Sequence, residues 1–168
     1  MMDTQTCMGM GAAVTREKED AMAIEKWIDG LINGTQPDLP VARDAMMLNG
    51  LSVIDAIESH VNWRNKWFKA LRADDPSAKD AEKIACDHLC QVGQWIYSAG
   101  KSYEHLPEYT ELKQRHADFH LCASEAVKLH NKGEFLEAVT LAMGPLTTSS
   151  KTVASGFLSL FKASANKA

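Results

Sequence analysis

The fold class is decided by residues 53–71, VIDAIESHVNWRNKWFKAL. Apolar and aromatic side chains recur there at intervals of three, four and seven residues, which is the spacing of one helix face. The members of this stripe are Val53, Ile54, Ile57, His60, Val61, Trp67, Phe68 and Leu71. The pattern predicts a long helix over about residues 41–73 with one buried face, and His60 falls inside that face.

Three further helical segments are predicted after the first one, over about residues 77–99, 107–132 and 134–161. Gly144-Pro145 predicts a kink or break in the last of them. Gly93, inside the second, indicates a close approach by a neighbouring helix or a local distortion. No stretch alternates in the manner of a strand. We therefore expect an all-α protein, an antiparallel four-helix bundle with an additional N-terminal helix.

The chain is expected to have two parts. Residues 1–40 comprise a loose, flexible tail to about residue 14, a short amphipathic helix that stops at Asn33-Gly34, and the linker 35–40. Residues 41–168 form the four-helix bundle.

Composition excludes several classes of protein. The 168 residues carry a net charge of −4, which disfavours a nucleic-acid partner. The longest apolar runs are far below the roughly 20 residues that span a bilayer, so no membrane contact is expected. Asp3 stands where a signal peptide would carry a basic residue. We expect a cytoplasmic protein with reduced cysteines.

The four cysteines and six histidines contain one distinctive spacing. His116 and His120 are four residues apart, so one helix face presents both imidazoles to a single metal ion. His60, inside an apolar stripe, needs a bound partner to offset desolvation, either a metal ion or a backbone carbonyl. Cys90 is either a soft ligand or a buried apolar thiol. Together the four would make a closed tetrahedral set for zinc, which suits a structural or sensing ion better than a catalytic one.

Three short motifs resemble the chemoreceptor zinc-binding (CZB) domain. The run 90–100, CQVGQWIYSAG, resembles the Cys-x-x-Gly-x-Trp-x-x-x-x-Gly signature of that family. His60-Val61-Asn62-Trp63 resembles its first-helix His-x-x-Trp, and the pair at 116 and 120 resembles its paired histidines. The three motifs stand in the family's order, and the resemblance covers about residues 41–161.

The resemblance implies a four-helix bundle, usually a homodimer, that binds Zn²⁺ through His60, Cys90, His116 and His120. It also implies a regulatory role in bacterial signalling, as in chemotaxis or cyclic-di-GMP control, with no enzymatic activity of its own. Some members respond to hypochlorous acid through the zinc-bound Cys. The chain is interpreted as a stand-alone member with an N-terminal extension, so a chemoreceptor or diguanylate cyclase partner would act in trans.

Several alternatives remain open at this point. The chain could be a metal-free helical interaction module, a hemerythrin-like iron protein or a zinc-buffering protein. Cys86 could serve as a resolving thiol one helical turn before Cys90, or simply pack within the helix. Asp118 or Glu125 could orient a metal-bound imidazole, or be solvated acids. The remaining cysteines and histidines, Cys7, Cys122, His88, His105 and His130, are expected to have no special role.

Overall fold

A computed structural model describes residues 19–166 of the chain. The tail predicted at residues 1–14, with Cys7, lies outside these residues. Contacts divide the chain between Ala42 and Arg43 into two compact units, which are described in turn.

In the first unit, the described residues form one helix, α1, over residues 19–32. It ends just before Asn33-Gly34, where the stop was predicted. The backbone N–H groups of Gly34 and Thr35 donate to the carbonyls of Leu31 and Gly30, which closes the last turn. Residues 35–39 have no regular structure.

The second unit is a helical bundle with a two-stranded hairpin at its start, so the predicted all-α class is confirmed. Its helix α5 is central and packs against α3, α6 and α7, while α2 packs against α4 and α7. The elements are β1 Met47–Leu48, β2 Leu51–Ser52, α2 Val53–Arg72, α3 Ala81–Ala85, α4 Gln91–Ile96, α5 Pro107–Asn131, α6 Phe135–Met143 and α7 Pro145–Asn166, with short 3-10 helices at Pro76–Ala78 and Ala99–Tyr103.

The first long helix begins at Val53 and not near residue 41, so that boundary of the prediction is wrong. Asn49 and Gly50 both adopt positive φ, which forms the tight turn of the hairpin β1–β2. Ser52 then caps α2, because its hydroxyl accepts the N–H of Asp55 at 3.2 Å. The buried stripe predicted from Val53 to Leu71 is confirmed, and Phe68 at its edge is half-buried.

The predicted helix over residues 77–99 is also wrong, because it is broken into α3 and α4 by the segment 86–90. Each short helix has its own cap: Asp80 accepts the N–H of Lys83, and Cys90 accepts that of Gly93. Leu89, in the segment between the two helices, is 50% exposed. The prediction failed because apolar residues recur at helical spacing on both sides of the segment 86–90, as if one helix continued through it. The second N-cap, Cys90, marks the point where a new helix begins.

The remaining helices agree with the predictions. Pro107 opens α5 at its first turn, and the helix ends at Asn131. The predicted break at Gly144-Pro145 separates α6 from α7. The side chains of Ile54, Leu112, Phe119 and Phe157 are fully buried and join α2, α5 and α7 into one core.

Arg64 on α2 forms hydrogen bonds to the chain where α6 ends and α7 begins. The residue is 7% exposed, and its Nη2 donates to the carbonyl of Ala142 at 3.2 Å and to the hydroxyl of Thr147 at 2.5 Å. It therefore satisfies a carbonyl in the last turn of α6, where helical partners end.

We expect Arg64→Ala to lower the free energy of unfolding by about 2–3 kcal/mol, because it opens a cavity and leaves the Ala142 carbonyl without this donor. Urea denaturation checks this. Lys66→Ala, an exposed position on the same helix, serves as the control and should stay within about 0.5 kcal/mol of the wild type. Equal effects of the two substitutions would contradict this role of Arg64.

Candidate metal centre

Three of the four predicted ligands converge in the structure. His116 and His120 lie one turn apart on α5, with ring centroids 4.7 Å apart and side chains almost fully buried. The Sγ of Cys90 lies 3.2 Å from Nε2 of His116. One ligand atom from each of the three residues lies within 4.8 Å of the others, and no other group of this kind occurs in the range 19–166.

Cys90 reaches this position because the chain is broken there. It is the N-cap of α4, and its Sγ accepts the N–H of Gly93 at 3.3 Å. A residue in the middle of a continuous helix would not have its side chain turned onto that N–H. The break that sequence periodicity missed is therefore what presents the thiol to α5.

Gly93 allows the segment 86–90 to fold back over α4. A Cβ at position 93 would lie 1.7 Å from the carbonyl oxygen of Asp87 and 2.8 Å from its carbonyl carbon. Both neighbours are backbone atoms, so no side-chain rotation could make room. The sequence left open a neighbouring helix or a local distortion at Gly93, and the structure shows that the close neighbour is the loop that carries Asp87 and Cys90.

His60 lies beside this group from α2. Its side chain is 4% exposed, and its ring centroid is 6.0 Å from that of His116 and 4.5 Å from that of Phe119. It is not within the 4.8 Å set, but it lines a cavity of about 280 Å³ together with Cys90 and His120. The structure thus places His60, Cys90 and His120 at one cavity, with His116 in contact with Cys90 and His120.

The walls of that cavity are largely apolar. Trp63 and Leu89 also line it, and the Trp63 ring lies 5.0 Å from that of His120. Such walls limit water around the imidazoles and raise the cost of leaving their polar atoms unpaired.

Hydrogen bonding fixes which nitrogen of His120 is free. Its Nδ1 lies 2.8 Å from the carbonyl oxygen of Ile84, and a carbonyl can only accept, so Nδ1 carries the proton. The lone pair is then on Nε2, which is buried and has no hydrogen-bond partner. Metal-bound histidines typically show this arrangement, a backbone acceptor on one nitrogen and the metal on the other.

Another unpaired atom points the same way. Nε2 of His60 is also buried without a hydrogen-bond partner. Buried polar atoms are rarely left unpaired, so the Nε2 atoms of both His60 and His120, on neighbouring imidazoles, indicate a missing ligand. Three imidazoles and one thiolate form a donor set that suits zinc. The residues present therefore fit the ion that the sequence predicted, although the four-residue ligand set itself stays a prediction.

Burial keeps the histidines neutral, as metal binding requires. Desolvation, reinforced by repulsion from His120, lowers the pKa of His116 to about 4. Desolvation likewise lowers the pKa of His60 well below its usual value and lowers that of His120. Burial raises the pKa of the Cys90 thiol, while the N–H groups of Gly93 and Val92 oppose this by stabilising the thiolate.

Two roles were left open for Asp118 and Glu125, and the structure favours that of solvated acids. Asp118 and Glu125 are both exposed; Asp118 accepts from Gln114, and Glu125 pairs with Lys128. The residues at the imidazoles are instead the carbonyl of Ile84 and the carboxylate of Asp87, whose Oδ2 is 3.9 Å from Nδ1 of His116. Sequence reasoning missed them because it assumed an unbroken helix through residues 84–90.

The other cysteines and histidines of residues 19–166 lie outside the group. Cys86 caps the end of α3, so the hypothesis that it lies one helical turn before Cys90 on a common helix is wrong. Cys86 and Cys122 are half-buried free thiols. His88 and His105 are exposed, and His130 lies against Phe135.

The buried imidazoles predict how the stability of the metal-free protein depends on pH. In the unfolded chain a histidine binds a proton below about pH 6.5, whereas folded His116 does so only near pH 4. The unfolded state therefore holds more protons in this window, and the free energy of unfolding falls as pH drops from 6.5 toward 4. For His116 alone the slope approaches about 1.4 kcal/mol per pH unit.

Urea midpoints of metal-free protein at pH 7 and pH 5 check this prediction. The midpoint should be lower at pH 5, and His116→Gln should reduce the difference. His88→Ala, which removes an exposed histidine, should not change it. Equal midpoints at the two pH values in the wild type would show that the imidazoles are not held neutral by folding.

Comparison with known proteins identifies one family. Residues 60–127 match the model of the chemoreceptor zinc-binding domain, so the resemblance is confirmed over that segment. All four predicted ligands lie within it, while the wider range of 41–161 extends beyond the match. No curated protein and no solved structure gives a significant match to the chain. Among residues 19–166, no helix is both long enough and apolar enough to cross a bilayer.

Proposed function

We propose that this chain, whose residues 60–127 match the chemoreceptor zinc-binding domain, is a zinc-binding regulatory protein with one site formed by His60, Cys90, His116 and His120. The observation that carries the proposal is the convergence of Cys90, His116 and His120 within 4.8 Å, beside a buried His60 with an unpaired nitrogen. A closed set of four protein ligands leaves no position for a substrate, which favours regulation over catalysis.

The proposed site joins three separate elements. His60 belongs to α2, Cys90 to the segment before α4, and the other two ligands to α5. A bound zinc ion would cross-link these elements and neutralise the buried thiolate. The weakest of the three attachments is that of the segment 86–90, because α3 and α4 on either side of it have only five and six residues. Loss of one ligand would therefore act first on this segment.

The donor set also favours a zinc site over the di-iron site of an iron carrier. Di-iron sites in helical bundles use several carboxylates, commonly within Glu-x-x-His pairs. Among the described residues, the only candidate metal group contains a thiol and no carboxylate. Metal analysis that finds iron in place of zinc, with a visible absorption band, would reverse this preference.

An oxidant response is part of the proposal. Two-electron oxidation of the Cys90 thiolate by hypochlorous acid gives a sulfenic acid and chloride, and the sulfur no longer binds as a thiolate. The sulfur is half-buried and lies at a small cavity, so a reagent of this size can approach it.

We expect one equivalent of hypochlorous acid to release zinc from the loaded wild type, measured with a colorimetric zinc indicator. Cys86→Ser and Cys122→Ser should release it to the same extent, because these thiols lie outside the metal group. Protein with Cys7, Cys86 and Cys122 all replaced by Ser keeps Cys90 as the one thiol of the chain and isolates the effect. Retention of zinc by that triple variant after oxidation would refute the response at Cys90.

The partner is proposed from the family alone. We propose that the protein acts in the cytoplasm, as a homodimer or on a chemoreceptor or diguanylate cyclase in trans. Sedimentation of zinc-loaded and metal-free protein tests the dimer, and a capture assay with each purified candidate partner tests the signalling role. Binding that changes at least tenfold with zinc would support regulation. Binding that ignores zinc would indicate a metal-independent interaction module.

A further inference from the structure

Asp87 is the one acidic side chain that approaches the imidazoles of the proposed site closely enough to form an ion pair among the described residues. Its Oδ2 is 3.9 Å from Nδ1 of His116. The His116 ring is fully buried and the Asp87 side chain is 16% exposed, so solvent screens this pair little. Nδ1 of His116 is buried and has no hydrogen-bond partner, so the nearby carboxylate is the charge that acts on a proton at that nitrogen.

Tyr97 holds the carboxylate in this position. Its hydroxyl donates to Oδ2 of Asp87 at 2.6 Å, and this bond connects the end of α4 to the segment before it. Burial together with this bond raises the pKa of Tyr97 to about 12, so the hydroxyl keeps its proton at neutral pH. The Lys113 ammonium lies 5.0 Å from the centre of the Tyr97 ring and packs the tyrosine from the side of α5.

The position of the proton on His116 decides whether it can serve as a ligand. A neutral imidazole carries one proton, and only the other nitrogen has a lone pair for a metal ion. Nε2 of His116 faces Cys90, whereas Nδ1 faces Asp87. A carboxylate near Nδ1 favours the tautomer protonated there and leaves the lone pair on the side of the thiol. Ile84 does the same for His120 through its carbonyl.

We propose that Asp87, held by Tyr97, is a positioning residue that sets the tautomer and ring orientation of His116 for metal binding. This inference rests on the proposed zinc function, because the tautomer of His116 matters only if His116 binds a metal ion. The contacts of Asp87 with His116 and Tyr97 are those of the metal-free chain. This placement of Asp87 also explains why Gly93 is needed: the backbone of Asp87 passes over position 93 at a distance that excludes a Cβ. The glycine, the aspartate and the thiol thus form one local arrangement.

The test combines two measurements on Asp87→Asn and Tyr97→Phe. Histidine ¹⁵N shifts of the metal-free protein at neutral pH report the His116 tautomer, and competition with a chromophoric chelator reports zinc affinity. Wild-type His116 should be protonated on Nδ1. Asp87→Asn should shift this population and weaken zinc binding by about 10–100-fold, as is typical for carboxylates behind metal-bound histidines. Tyr97→Phe keeps the carboxylate, so its effect should be smaller and in the same direction.

Asp118→Asn is the matched control, because Asp118 is an exposed acid two residues from His116 on the same helix. It should leave both the tautomer and the affinity unchanged. A wild-type His116 protonated on Nε2, or an Asp87→Asn affinity within twofold of the wild type, would overturn the inference while the proposed function stands. A wild type that binds no zinc would overturn the proposed function, and the tautomer measurement would still decide the role of Asp87.

Discussion

Replacement of any one of the four proposed ligands by alanine is expected to weaken zinc binding by about 100-fold or more. Structural zinc in small domains contributes roughly 10–16 kcal/mol, and an equal share among four ligands is about 2.5–4 kcal/mol each. Chelator competition measures the effect in Cys90→Ala, His116→Ala and His120→Ala. Cys86→Ala and His88→Ala are the matched controls, because both residues lie outside the metal group.

His60→Ala is the most informative member of this series. The other three residues already lie within 4.8 Å of one another, whereas His60 stands slightly apart. If His60 is a ligand, its loss should cost as much affinity as the loss of His120. If zinc binding stays within threefold of the wild type, His60 is a buried core residue and the set has three protein ligands.

Thermal melting gives an independent reading of the same series. A ligand that binds only the folded state at a thousand times its dissociation constant stabilises it by about 4 kcal/mol. A chelator should therefore lower the melting temperature of the wild type by several degrees. It should have almost no effect on Cys90→Ala, because that variant has little zinc to lose.

Gly93→Ala is expected to have the largest effect on stability of any single methyl addition in the second unit. The added Cβ would lie 1.7 Å from the carbonyl oxygen of Asp87, so the backbone of the segment 86–90 must move. Overpacking typically lowers the free energy of unfolding by about 1–3 kcal/mol. A Cβ that clashes with backbone atoms belongs at the top of that range or above it. Urea denaturation of the metal-free protein measures the loss.

The same substitution should weaken zinc binding, since the displaced segment carries both Asp87 and Cys90. Lys83→Ala, at an exposed position of the neighbouring helix α3, is the control and should change stability by less than about 0.5 kcal/mol. If Gly93→Ala matched the wild type in stability and affinity, the fold of the segment 86–90 described above would be wrong.

The long helices could be predicted from sequence because apolar spacing and stop signals agree there. Pro107 and Gly133 bracket α5, and Gly144-Pro145 separates α6 from α7. The start of α2 was misjudged because the apolar pattern extends upstream into the hairpin. The Asn49-Gly50 turn and the Ser52 cap were the local signals that contradicted it.

The site illustrates a different limit of sequence reasoning. The spacing of His116 and His120 and the apolar neighbours of His60 suffice to predict these candidate ligands. Each feature depends only on residues within a single helix, α5 for the pair and α2 for His60. The path of residues 86–90 depends on contacts between backbone atoms of the loop and α4, which no periodicity encodes. The role of Asp87 could not be predicted for this reason. Gly93 was the one sequence feature that indicated a close backbone contact in this region.

The central claim is that the chain binds zinc at these residues, and metal analysis of the purified protein at neutral pH tests it most directly. Inductively coupled plasma mass spectrometry on protein prepared without added metal should find close to one zinc per chain. Cys90→Ala and His120→Ala, prepared in the same way, should contain almost none. A wild type free of zinc at neutral pH, with a melting temperature unaffected by added zinc or by chelator, would contradict the account.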